Sequence, residues 1–136
     1  MIDSLDISSS ALVAQRTRMD VIAGNIANAF TTQQEDGTVQ PYRRRFVTFL
    51  PGDGQGRPGV QVGGIEEDPS AFALRYDPGH VHAIREGPLA GYVQYPNVNI
   101  TMEYVDALEA SRAYEANIAM MNVTKGMVQQ AVRLFA

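Results

Sequence analysis

Apolar and polar positions follow two different periods along this chain. In the first thirty residues Leu5, Leu12, Met19 and Ile26 recur every seven, with Ile22 and Ala29 at interleaved three-residue offsets, and this spacing predicts a helix with one apolar stripe. Its start is set either at Ser4 or only near Ser10, because Ser8, Ser9 and Ser10 are mediocre inside a helix and good at its cap. At the other end Tyr104, Ala107, Ser111, Tyr114, Ile118, Met121, Lys125, Val128, Val132 and Phe135 step by alternating threes and fours, close to a heptad seam. Thr101 is the expected cap, Glu103 lies in the first turn toward the positive end of the helix dipole, and no proline follows up to Ala136. A helix of about 34 residues is about 50 Å long. Such a rod cannot bury its seam against a small middle region.

Between the helices the period drops to two. Arg45–Leu50, Val60–Val62, Phe72–Tyr76 and Gly91–Tyr95 read as short strands, separated by Asp36-Gly37, Pro51-Gly52-Asp53-Gly54, Gly63-Gly64 and Asp77-Pro78-Gly79 turns. All seven prolines and ten of the twelve glycines fall within residues 31–100. The expected organisation is therefore an N-terminal helix over 1–30, a β-rich middle over 31–100 and a C-terminal helix over 101–136. Hairpins with uncovered edges between two seam-bearing helices suit a chain that neighbours complete.

Composition narrows the function. With 136 residues there is room for one ordinary domain, and a net charge of −4 argues against a broad nucleic-acid or acidic-membrane footprint. Zero Cys excludes disulfides, Cys-ligated zinc and thiol nucleophiles. The best apolar stretch, Met19 to Phe30, is interrupted by Asp20, Asn25 and Asn28, so no bilayer span is expected. Asp3 and Asp6 precede the first basic residue, Arg16, which argues against a cleaved secretory signal.

Candidate chemistry is thin. Gly54-Gln55-Gly56-Arg57-Pro58-Gly59 fits G-x-G-x-x-G, but a proline and a strand follow where a dinucleotide site needs a helix N-terminus, so a hairpin loop is the better reading. Asp77, His80 and His82 could supply three metal ligands, against an ordinary surface turn. Arg43, Arg44 and Arg45 are too few for phosphate recognition and are expected to meet a carboxylate on a neighbouring subunit. Glu66, Glu67 and Asp68 precede Pro69 as a solvated turn does, and the Asn99 and Asn122 glycosylation triplets sit at or in the last helix, where cap and seam roles fit better. Asn25 and Asn28 near the first seam, and Asn117 and Asn122 near the second, either fix helix register or lie on the exposed back. No catalytic, cofactor or metal residue is assigned.

Several separated motifs in order carry a resemblance. Ala14-Gln15-Arg16, Met19–Ala23 and Asn25-Ile26-Ala27-Asn28-Ala29 at the N-terminus, Pro41–Arg44, Tyr76–His80, Gly91–Val93 and Tyr95–Asn99 in the middle, and Glu109–Asn117 near the end together resemble the rod and hook proteins of the bacterial flagellum, the proximal-rod subunits among them. The chain departs from that pattern at Phe30, where the family usually has Asn, and in a longer Val81–Ala90 loop, so the first helix exit is expected to differ. The resemblance implies an elongated α+β fold whose terminal helices pair as a coiled coil around an export channel. It implies a structural subunit of the periplasm-spanning drive shaft that carries torque from rotor to hook, with no catalysis and no cofactor. Implied partners are proximal and distal rod proteins, the rod-base adaptor and MS-ring, the rod cap and the flagellar type III export apparatus, through which such subunits leave the cytoplasm without a cleaved signal. The expected assembly interface is Leu5, Leu12, Met19, Ile22, Asn25, Ile26 and Asn28 on the first helix and Tyr104, Tyr114, Asn117, Ile118, Met121, Val128 and Val132 on the second. The residues alone leave open a soluble helical-hairpin and β adaptor or ligand-binding module, or more distantly a metal hydrolase using His80 and His82.

Overall fold

The structure, a computed structural model, describes residues 2–136. Its fold is α+β: helix α1 (Ile2–Ala27), strands β1 (Arg45–Pro51) and β2 (Val60–Glu67) as one antiparallel pair, β3 (Ala73–Tyr76) and β4 (Tyr92–Tyr95) as another, and helix α2 (Ile100–Phe135). The strands lie within two residues of their expected starts, and β2 corrects one expectation at its far end. Gly63 and Gly64 do not turn the chain; they lie inside β2, where Gly64 pairs with Thr48 next to a bulge between Thr48 and Phe49.

Two helix boundaries also differ. α1 already includes Ser8–Ser10, because the Ser10 hydroxyl donates to the Ile7 carbonyl (2.7 Å) and accepts the Val60 amide (3.1 Å), so it serves the fold without breaking the helix. The N-cap of α2 is Asn99 rather than Thr101: its backbone is extended (φ −98°, ψ 105°) and its side-chain oxygen accepts from the Met102 amide at 3.3 Å. At the exit of α1 the Asn28 side chain donates to the Gly24 carbonyl (2.9 Å), and the chain leaves through a turn at Asn28–Phe30 with no left-handed non-glycine residue. Phe30 sits outside, 70% exposed.

The helices run antiparallel. Asn25 bonds Glu103, whereas Arg18, two turns earlier on α1, pairs with Asp106 (4.0 Å) and Glu109 (3.5 Å) further along α2. In that register the start of α1 meets α2 near residue 125, so the last roughly ten residues of α2 extend about 15 Å past their partner. α1 is the only helix or strand packed on α2 among the described residues, and β1 and β2 pack on α1 instead.

The core is small. Ala14, Ile22, Ala29, Pro41, Val93, Pro96 and Ala110 are its buried apolar side chains among the described residues. The chain exposes 9328 Å², where a compact protein of 14.9 kDa exposes about 7,000 Å².

Candidate functional site

Two features dominate the surface and the seam: the packed and bare faces of α2, and a polar knot at the end where the helices meet the β region.

Side chains on α2 that turn away from solvent include Glu103, Ala107, Ala110, Tyr114, Asn117, Met121, Thr124, Val128 and Ala131, which step by fours and threes, with Ile100, Asp106, Ser111 and Ala113 flanking them. These positions have heptad spacing and share only alternate places with the expected seam. Tyr114, Asn117, Met121 and Val128 lie on this side. Tyr104, Ile118 and Val132 do not: they are 61%, 40% and 62% exposed, one position round the helix from Glu103, Asn117 and Ala131. Small Ala110 and Thr124 are buried on this side, beside larger Tyr114 and Met121. On α1, Ile22 and Asn25 are buried, and Leu5, Leu12, Met19, Ile26 and Asn28 are half-buried. Asn28 makes local bonds, to Gly24 and from the Thr31 hydroxyl (3.1 Å), and Asn117 bonds the Ala113 carbonyl of its own helix (2.8 Å), so neither ties the two helices together. Asn122 is exposed.

The opposite side of α2 is uncovered and carries several large apolar side chains. Val105, Leu108, Val123 and Met127 are each 54–57% exposed and share one face; Leu134 and Phe135, on the overhanging turns, are 86% and 93% exposed. Periodicity alone could not separate the two sides, because both repeat every three to four residues.

The knot centres on Asn25, which is fully buried and saturates all four of its hydrogen-bonding positions. Its amide donates to the Arg45 carbonyl (2.7 Å) and to Glu103 Oε2 (3.1 Å); its oxygen accepts from the Tyr42 hydroxyl and the Arg45 amide, both at 3.0 Å. Glu103, 1% exposed, holds Arg44 Nε through its other oxygen. Arg44 also reaches Asp68 (3.4 Å) and Asp106 (3.6 Å). Its backbone is fixed as well, the amide donating to Asn97 Oδ1 (2.8 Å) and the carbonyl accepting from the Asp68 amide (2.8 Å). Arg43 donates to the Asp68 and Ser70 carbonyls (2.9 and 3.0 Å) and lies 4.3 Å from the centre of the Phe72 ring. Arg44 thus meets carboxylates of its own chain, as does Arg45, which pairs with Glu67 at 3.9 Å, while Arg43 meets backbone carbonyls.

Electrostatics follow from these contacts. Burial works against the Arg44 charge, yet Glu103, with Asp68 and Asp106 behind it, outweighs that cost and raises the guanidinium pKa. The backbone amide and hydroxyl of Ser70 hold the Asp68 carboxyl below its ordinary value of 3.8. Burial pushes the Tyr42 phenol up.

The remaining motifs do other work. The Gly54–Gly59 run is the β1–β2 hairpin loop, with positive φ at Gly52, Gly54, Gly56 and Gly59, and a strand follows it. His82 Nδ1 lies 2.8 Å from the Thr32 hydroxyl, and the His82 amide donates to His80 Nδ1 at 3.0 Å, so both rings brace their loop. Among the described residues no group of three or more His, Asp or Glu side chains is arranged to hold a metal ion. Among the described residues no helix is long and apolar enough to cross a membrane.

Two family descriptions match the chain: "Flagella basal body rod protein" over residues 5–33 and "Flagellar basal body rod FlgEFG protein C-terminal" over residues 89–134. Similar curated proteins, each named flagellar basal-body rod protein FlgC, include that of Bacillus subtilis, 43% identical over 96% of this chain and 95% of the relative. Those of Borreliella burgdorferi and Salmonella typhimurium are 41% and 39% identical, each over 98% of this chain and 97% of the relative.

Proposed function

Because the chain belongs to the FlgC family of flagellar basal-body rod proteins, and is thus a structural rod subunit of the basal body rather than an enzyme, we propose that it joins its neighbours through the bare outer face and overhanging tip of α2. Rod membership means assembly with other basal-body rod components. The observation that carries this reading is that α2 bears large apolar side chains on two sides while only one side has a partner helix or strand among the described residues. Burying the second side at about 25 cal/mol per Å² would supply the association energy that the small core lacks.

In this reading the α1–α2 pair is a coiled coil in an inner layer around a central channel, residues 31–100 form the outer contacts, and α1 and α2 take the 1–30 and 101–136 portions. Neighbours are proximal and distal rod proteins, with the rod-base adaptor and MS-ring at the rotor and the rod cap at the growing end. The rod spans the periplasm, its subunits leave through the flagellar type III apparatus without a cleaved signal, and side-to-side contacts carry torque. Contacts that repeat without closing give an open helical assembly.

Val123→Asp tests the outer face, since a charge there must be desolvated without a partner on assembly. The expected result is a chain with wild-type unfolding behaviour that is absent from purified basal bodies and leaves cells non-motile. Normal basal bodies in that variant would place the contact face elsewhere.

A further inference from the structure

At the end where α1 and α2 meet the β region, the seam buries Asn25 and Glu103, two polar side chains withdrawn from water. Between them passes a single hydrogen bond, from the Asn25 amide to Glu103 Oε2. One neutral donor does not compensate a buried carboxylate. What compensates it is Arg44, which belongs to neither helix and stands immediately before β1. Asn25 shows the same dependence: three of its four bonds go to Tyr42 and Arg45 and only one to α2. Arg44 in turn is held by Asp68, just after β2, and by Asn97, just before α2.

Removing residues 42–45 from this arrangement leaves Glu103 buried without its cation and Asn25 with one partner. Further along the seam Ala110 and Thr124 impose no such requirement. We propose that Asn25, Arg44 and Glu103 form a folding interlock, which makes the pairing of α1 with α2 conditional on docking of the segment that leads into the β1–β2 hairpin. Helices with sticky faces then do not zip together, within a chain or between chains, until the β region is in place. The interlock acts within a single copy and stands whether or not the outer face of α2 is the contact surface.

Hydrogen exchange of the full-length chain across a urea series, with two variants, decides the matter. In the wild type, amides of Leu12–Ile26, of Ala110–Thr124 and of the β1–β2 hairpin are expected to lose protection at one urea concentration. Arg44→Met, which strands Glu103, is expected to lower protection in all three regions together, by roughly a hundredfold or more. Arg44→Met combined with Glu103→Leu removes the charge requirement and is expected to uncouple them: the helix amides stay protected at urea concentrations that expose the hairpin. Four results would overturn the interlock: unprotected helices in the wild-type chain, helices that outlast the hairpin in the wild type, unchanged helix protection in Arg44→Met, or loss of all three regions together in the double variant.

Discussion

The two ends of α2 are built from the same repeat and finished in opposite ways. At the N-terminal end an asparagine cap, a buried glutamate and its arginine tie the helix to α1, to both flanks of the β1–β2 hairpin and to the segment before the helix itself. At the C-terminal end Val132, Leu134 and Phe135 stand largely in solvent beyond the reach of α1. One end is specified by directional polar bonds, the other left to non-directional apolar contact. The difference teaches that a periodic stripe reports where a helix can be buried and not by whom. At the first end the chain supplies the partner itself; at the second it supplies none.

The largest expected effect on the isolated chain lies at the tied end. Asn25→Ala leaves the Arg45 amide and carbonyl and the Tyr42 hydroxyl without their partner and costs about 2–4 kcal/mol, read as a lowered urea midpoint. If the midpoint barely moves, water has replaced the amide and the two ends differ less than their contacts imply.

A smaller loss should come with acid. Asp68 titrates below 3.8 in the folded chain, so its contribution is fully present above the unfolded-state value and disappears as pH falls through the folded one. Urea midpoints are expected to hold down to about pH 5 and then drop below pH 4, with a shallower drop in Asp68→Asn. An equal drop in that variant would assign the acid sensitivity to other carboxylates.

The smallest effect on the isolated chain belongs to the bare end. Leu134→Asp with Phe135→Asp should change stability by less than about 0.5 kcal/mol, because neither side chain touches the fold. The same pair should empty purified basal bodies of the subunit. A large stability loss would show that the tip is covered from within and would erase the contrast.

Much of this was legible in the sequence and some was not, for reasons that particular residues make plain. Strand starts were readable because glycine and proline punctuate them, except at Gly63-Gly64, where strand pairing with β1 overrides local turn preference. The pairing face of α2 was half readable. Tyr104, Ile118 and Val132 drew the expected seam toward bulk, whereas the packed positions one residue away are Glu103, Asn117 and Ala131. Hydrophobicity cannot point to a buried glutamate. Its partner Arg44 lies 59 residues away along the chain, so the pair becomes visible only once the fold has closed. The arginine triplet is visible in the sequence, but the carboxylates that Arg44 and Arg45 meet are distant along the chain and stay hidden for the same reason.

The overhang gives the molecule a direction. Antiparallel helices of equal length finish flush, but here α2 outruns α1 at one end, and the polar knot sits at the other. A filament of such subunits with their helices aligned cannot look the same when turned upside down. Every subunit offers bare apolar tips one way and a sealed polar end the other, so the two termini of the filament are chemically distinct. Starting it and stopping it are then separate recognition problems, and a terminator fitted to one terminus has no purchase on the other.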